Sequence, residues 1–153
     1  KIKKNKTKFV GVLVKPTYYE LKKFSNLNLD YFQIYGDFNH LELTKIKKKF
    51  KKKIISVIQV KKEMDIKKYK KIEKISDIIL WDSTGYEKSL TWNYKWLNPI
   101  KTKAKKMIAG NITIDKIKGL KNLADILDVS GALETKKVKD IKKIKTFIEI
   151  LRK

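Results

Sequence analysis

Residues 54–81, IISVIQVKKEMDIKKYKKIEKISDIILW, decide the fold. They open on an apolar run, Ile54–Gln59, that is strand-length and rich in β-branched residues. A lysine-rich stretch comes next, Met64–Lys74, whose apolar residues stand three or four apart, the spacing of one helix face. A second apolar run, Ile78–Trp81, then begins. Strand, helix, strand is the order of a parallel crossover unit.

The same beat runs outward in both directions. Further apolar runs are Phe9–Val14, Tyr31–Tyr35, Lys106–Ala109 and Ile126–Val129. Amphipathic segments alternate with them at Tyr18–Leu27, His40–Lys52, Trp92–Leu97, Thr113–Asn122 and Lys137–Leu151. In the last of these Val138, Ile141, Ile144, Ile148 and Leu151 keep a helical spacing with lysines between them. Pro16–Thr17 and Asn111–Thr113 suit helix starts. The reading is six β/α units in one domain, residues 1–153. The runs lack alternation, which fits strands covered on both faces. Periodicity leaves two architectures open, a doubly wound sheet and a (β/α)8 barrel, and either puts function at the C-terminal ends of the strands.

Composition narrows the chemistry. The chain has 153 residues, 42% of them hydrophobic, enough to fill a core. It has no cysteine, which excludes a disulfide framework, Cys-based zinc sites and a Cys nucleophile within these residues. His40 is the sole histidine and reads as an exposed helix-start residue, so no metal site is expected. No apolar run approaches the roughly 20 residues that span a bilayer. The basic start, Lys1–Lys8, has no apolar signal region after it, so a soluble cytoplasmic protein without a membrane partner is expected. The net charge is +23, from 39 basic and 16 acidic residues. Arg152 is the only arginine, and arginine is the residue that forks onto bases and phosphates. The lysines are spread along the chain, and isoleucine is also heavily used, at 21 residues, which suggests a compositional bias. The charge therefore reads as a solvated surface, with no specific nucleic-acid partner.

The strand ends carry the polar residues. The fourth run ends in Trp81-Asp82-Ser83-Thr84-Gly85, the fifth in Ala109-Gly110-Asn111, the sixth in Asp128-Val129-Ser130-Gly131. The last two are small-residue turns that can offer backbone N–H groups to an anion. Such a turn taken singly is more often just a tight turn; two in succession late in a β/α chain point to a phosphate site. Asp82 closes a very apolar strand beside an aromatic, where desolvation can let a carboxyl carry a proton, so it is the candidate acid. An Asp that merely caps a turn would look the same. Asp128 reads equally as a structural polar residue, and the three Trp, Trp81, Trp92 and Trp96, as packing residues.

In this order the motifs resemble the phosphoribosylanthranilate isomerase family of tryptophan biosynthesis. Phe9–Val14 resembles its VGVFVN strand, Asp30–Asp37 its D-x-x-Q-L-H-G-x stretch, and Ile78–Ser83 its LLLDS/T strand end. Lys88–Trp92 resembles K-T-F-D-W, Ile108–Ile112 the LAGGL turn, Leu127–Glu134 the VDVSSGVE turn, and Val138–Ile144 the closing G-x-K-D-x-x-K-I. The resemblance implies a (β/α)8 TIM barrel, of which this chain would hold six consecutive units, the third to the eighth, its C-terminal three quarters. It implies an intramolecular oxidoreductase, an aldose–ketose isomerase. The reaction would be the Amadori rearrangement of N-(5-phosphoribosyl)anthranilate to the 1-deoxyribulose 5-phosphate product, with no metal or organic cofactor. Asp82 matches the family's acid, at the end of the fifth barrel strand. Gly110, Asn111, Ser130 and Gly131 match its phosphate turns. Gln33 and Tyr35 would line the substrate pocket. The partner is then a small phosphosugar, and the chain a monomer or homodimer.

Several positions depart from the family pattern. Its general base, a Cys in K-I-C-G, and a basic residue for the anthranilate carboxylate match nothing here, so activity is expected to need N-terminal residues beyond those given. The family His is Tyr35, the second turn Gly is Asn111, the Asp before the loop Trp is Thr91, and the loop after Asp82 is shorter. Two other readings stand beside this one: a degenerate or repurposed sugar-phosphate-binding barrel without isomerase activity, and a lysine-rich polyanion binder.

Overall fold

The computed structural model describes residues 6–84 and 90–152. Six parallel strands form one sheet: β1 (Val10–Val14), β2 (Tyr31–Tyr35), β3 (Lys53–Val60), β4 (Ile78–Ser83), β5 (Lys105–Ile108) and β6 (Ile126–Leu127). They lie side by side in chain order, β1-β2-β3-β4-β5-β6. A doubly wound sheet reverses its direction of growth at a switch point, and this one does not. The order is that of a barrel wall, which decides between the two architectures left open by periodicity.

The α-helices are α1 (Tyr18–Ser25), α2 (His40–Phe50), α3 (Ile117–Leu120) and α4 (Ile141–Arg152). Thr17 and Glu20 start α1 with a reciprocal capping box, and Asn39 and Glu42 do the same for α2. Leu21, Leu43, Ile46, Ile117, Leu120 and Phe147 turn from the helices onto the outward strand residues Phe32, Ile34, Ile54, Ile58, Ile79, Trp81 and Ile108. Burying each such side chain contributes about 1.5–3 kcal/mol. The opposite face of the sheet carries a second, smaller layer: Ile55, Ile78, Leu80 and Ala109, with Tyr31, Val57, Met107 and Ile126 against it.

The inward period of two orients the side chains at the strand ends. Counting from Ile78 and Leu80, Asp82 points inward; counting from Ile126, so does Asp128. Counting from Tyr31, Gln33 and Tyr35 share that face. Register places Gln59 beside Asp82.

The opposite, N-terminal end is fastened by a repeated device. Asp30, Asp77 and Asp125 each precede an even-numbered strand. Their carboxylates accept the backbone N–H of Phe9, Ile54 and Lys106 at 2.7, 2.8 and 2.7 Å. Each aspartate's own N–H donates back to the carbonyl of the same residue, at 2.8, 3.0 and 2.9 Å. Odd and even strands are thus clipped in pairs, away from the end that carries the polar residues.

Some expected elements differ. Glu63–Lys71 is a 3₁₀ helix where an α-helix over Met64–Lys74 was expected. Its buried residues Ile66 and Tyr69, and Ile72 just after it, recur every third position, which is the 3₁₀ repeat. Met64 is left outside, 73% exposed. The Trp92–Leu97 helix shrinks to a 3₁₀ turn at Tyr94–Leu97, and Thr113–Asn122 to a 3₁₀ turn at Ile114–Lys116 leading into α3. The expected helix over Lys137–Leu151 begins only at Ile141, because β7 (Glu134–Thr135) and β8 (Val138–Lys139) form a hairpin first. Lys136 and Lys137 make its turn with φ of 50° and 64°. Positive φ at both central residues is the type I′ pattern, which glycine and asparagine favour, so a lysine pair gives no signal for it. Val138 leaves the helical face accordingly. Finally, Asp82 closes the fourth of the six strands, the sixth on a count that begins at three, and not a fifth. Residues 1–5 of the basic start, Gly85 of the strand-end motif, and Lys88 and Ser89 of the loop motif lie outside the described residues.

Candidate active site

The C-terminal ends of the strands bring together residues far apart in sequence. The Tyr35 hydroxyl donates to Asp82 Oδ2 at 2.8 Å. The Asp82 Oδ1 accepts the N–H of Ser83 at 2.7 Å. Gln33, 5% exposed, donates from Nε2 to the Tyr35 hydroxyl at 3.4 Å. Gln33 thus supports Tyr35 from below, and the pair holds the Asp82 carboxylate in one orientation. Burial first, then the charge and hydrogen bond of Asp82, push the Tyr35 hydroxyl well above its usual range. It stays a donor at every physiological pH.

Asp128 is a member of this group that local sequence did not single out. Burial raises its carboxyl above the usual carboxylate range, and the negative charge of Asp82 raises it further. A carboxyl that burial and a neighbouring charge help to keep its proton suits acid–base work. The signal that could have found Asp128 is the inward period counted from Ile126. Tyr94 also faces this charge: burial, with Asp82 second, raises its hydroxyl.

The turn after β5 is tied down carbonyl by carbonyl. Trp92 Nε1 donates to the Ala109 carbonyl at 3.0 Å, the Tyr94 hydroxyl to the Gly110 carbonyl, and Lys116 Nζ to the Asn111 carbonyl at 3.0 Å. The N–H groups of Gly110, Asn111 and Ile112 donate to no acceptor among the described residues. Gly110 has φ +99°, and a Cβ there would lie 2.9 Å from the Ser83 Cβ and 3.0 Å from the Leu90 carbonyl oxygen. Only glycine fits. Asn111 takes φ 49°, the left-handed region that asparagine tolerates, and its Nδ2 donates to Thr91 Oγ1 at 2.9 Å. The substitutions at these two family positions therefore meet each other.

The turn after β6 is exposed. Ser130 and Gly131 face solvent, and the N–H groups of Ser130, Gly131 and Ala132 donate to no acceptor among the described residues. A Cβ on Gly131 would meet nothing within 4 Å, so the protein's own packing does not demand glycine there. Lys139 reaches this turn from the unexpected hairpin, with Nζ 2.8 Å from Ser130 Oγ.

Other candidates fall elsewhere. His40 is the exposed first residue of α2. Trp81 is fully buried, Trp92 nearly so, and Trp96 packs against the outer core. A cleft of about 680 Å³ opens at the same end of the sheet, lined by Lys15, Asn39, Gln59, Lys61, Lys68 and Thr84 among others. It lies beside the carboxylates, not over them, since neither Asp82 nor Tyr35 lines it. No cluster of three or more metal-ligating side chains occurs among the described residues. No described helix is long and apolar enough to cross a membrane.

A parallel β/α wall in chain order, with a hydrogen-bonded tyrosine–carboxylate pair and two open-amide turns at its C-terminal end, is the arrangement of the (β/α)8-barrel class. The family model described as N-(5′-phosphoribosyl)anthranilate (PRA) isomerase matches residues 1–150. The chain belongs to that family. It is 32% identical over 151 residues to the N-(5′-phosphoribosyl)anthranilate isomerase of Streptococcus mutans serotype c, covering 97% of this chain and 74% of the relative. It is 32% identical over 143 residues to the isomerase of Streptococcus gordonii, covering 92% and 69%. In fold it resembles the mutually generated monomers of dimeric phosphoribosylanthranilate isomerase from Thermotoga maritima: TM-score 0.79, 19% identity, 95% of this chain and 72% of that one. It also resembles a phosphoribosylanthranilate isomerase in complex with reduced 1-(o-carboxyphenylamino)-1-deoxyribulose 5-phosphate: TM-score 0.75, 19% identity, 94% and 70%. The six strands and the family resemblance read from sequence agree with these likenesses.

Proposed function

We propose that the protein isomerises N-(5-phosphoribosyl)anthranilate, and that this chain supplies the acid, Asp82, and the phosphate seat, the turns at Gly110–Asn111 and Ser130–Gly131. The observation that carries the reading is the Tyr35–Asp82 hydrogen bond at the inward end of β4, at the same end of the sheet as both turns. The family membership supports the substrate.

The electron balance closes within the substrate. A proton passes from the acid to the ribose ring oxygen, the C1–O bond breaks, and the nitrogen lone pair forms a C=N bond. A base then takes the C2 proton. The C–H electron pair becomes a C1=C2 bond, and the C=N pair returns to nitrogen. The enolamine tautomerises to the ketone as a proton arrives at C1. C2 is oxidised and C1 reduced, so no added redox group is required. Tyr35 and the Ser83 amide aim the Asp82 carboxyl at one place, which is where positioned acid catalysis gains its rate. The amides of the two turns offer donors to a dianionic phosphate some distance from the reacting carbons.

Asp82→Asn tests the assignment. Conversion of N-(5-phosphoribosyl)anthranilate is expected to fall by about 10²–10⁴-fold in kcat with KM little changed. Full turnover by the D82N enzyme would sink the reading. A parent protein that binds the phosphosugar and never converts it would favour the non-catalytic barrel instead.

A further inference from the structure

We infer that Lys139 is a positioning residue for phosphate: it acts through Ser130, turning that serine's hydroxyl and the amides after it toward the ligand. The inference rests on the phosphate seat proposed above.

The ammonium of Lys139 has three protons and three protein acceptors. Nζ lies 2.8 Å from Ser130 Oγ, 3.1 Å from the Ser130 carbonyl oxygen and 2.5 Å from Glu134 Oε1. All of its donors are therefore used inside the protein. It does not reach for a ligand itself. What it does is fix the roles of Ser130. A hydroxyl has one proton to donate and two lone pairs to accept with, and here one of those pairs is taken by Lys139. Repulsion from the ammonium turns the hydroxyl's own proton away from Lys139, where it can donate to a ligand. The Ser130 carbonyl is likewise claimed, so the turn presents its N–H side outward. Donation from a cation polarises the hydroxyl and strengthens the bond it makes to an anion.

The hairpin brings this about. Glu134 and Lys139 face each other across β7 and β8. The positive-φ pair Lys136–Lys137 makes the reversal that returns Lys139 to a serine nine residues back. Two further contacts fix the base of the hairpin. Lys143 Nζ donates to the Glu134 carbonyl at 2.6 Å. Asp140 accepts the N–H groups of Lys142 and Lys143 at the start of α4 and the hydroxyl of Thr135 at 2.8 Å. Lys139 is thus held from both sides of the hairpin, on a residue whose exposed hydroxyl has no other protein partner among the described residues.

The test is a double-mutant cycle read by binding of inorganic phosphate to the purified chain, by calorimetry at low salt. Lys139→Met and Ser130→Ala are each expected to weaken phosphate about tenfold, the loss of one hydrogen bond to a charged group. The double variant is expected to be no weaker than the worse single, because both changes remove the same donor. Lys139→Arg, which keeps the charge and the Glu134 pair, is expected to lose less than Lys139→Met. Thermal melts separate a loss of binding from a loss of the hairpin. If Lys139→Met binds phosphate as the parent does, the inference is wrong and the seat stands. If the two losses add in full, Lys139 contacts phosphate on its own and the role through Ser130 is wrong. If the parent chain binds no phosphate, the seat and this inference fall together.

Discussion

Tyr35 and Asp82, 47 residues apart in the chain, are joined by one hydrogen bond of 2.8 Å at the inward ends of β2 and β4. Tyr35 stands where the family pattern has histidine. A histidine changes charge near neutrality. A tyrosine whose hydroxyl is pushed upward by burial and by Asp82 does not. In this chain the neighbour of Asp82 is a fixed neutral donor.

Tyr35→Phe should therefore act through Asp82, the proposed acid. The hydroxyl fixes one Asp82 oxygen, and without it the carboxyl is free to rotate away from that direction. kcat is expected to fall about tenfold with KM little changed. An unchanged kcat with a raised KM would mean that Tyr35 merely lines the pocket.

Gly110 and Gly131 should behave differently although both belong to the turns proposed to seat phosphate. Gly110→Ala forces a side chain onto φ +99° and against Ser83, and about 1–3 kcal/mol of stability should be lost. Gly131→Ala has open space and should leave urea unfolding within about 0.5 kcal/mol of the parent. Equal losses at the two positions would contradict the geometry.

Asp65 should make the fold sensitive to acid. Burial alone would raise its carboxyl, but the hydrogen bond and charge of Lys68 and the N–H groups of Lys61 and Lys62 outweigh it and hold it at about 2. Its folded value is depressed from 3.8, so its stabilisation is fully present above about pH 4 and drains away as pH falls toward 2. Asp65→Asn should be less stable than the parent at pH 7, and the difference should narrow on acidification through that window. A constant difference would argue against the charge.

The +23 charge should give only salt-labile attraction to duplex DNA. Filter binding across a salt series is expected to show affinity lost by ~150 mM, with no preference among sequences. Tight binding at that salt would revive the polyanion reading.

What the sequence determined alone was the periodic part. Six apolar runs separated by amphipathic stretches define six strands in order, because hydrophobic spacing is imposed locally by the backbone repeat. The period of two puts Asp82 on the face of Ile78 and Leu80, and Asp128 on that of Ile126, but it took the packing to show that this face points inward. The recurrence of Ile66, Tyr69 and Ile72 already carried the 3₁₀ repeat. Tertiary structure decided the partners. Nothing near Asp82 in sequence names Tyr35, nothing near Gly110 names Ser83 or Tyr94, and a lysine pair gives no sign of the hairpin that returns Lys139 to Ser130. A strand's side-chain period comes from its own residues. Which hydroxyl meets which carboxylate depends on how separate strands are brought into register, and that is settled only when the whole wall packs.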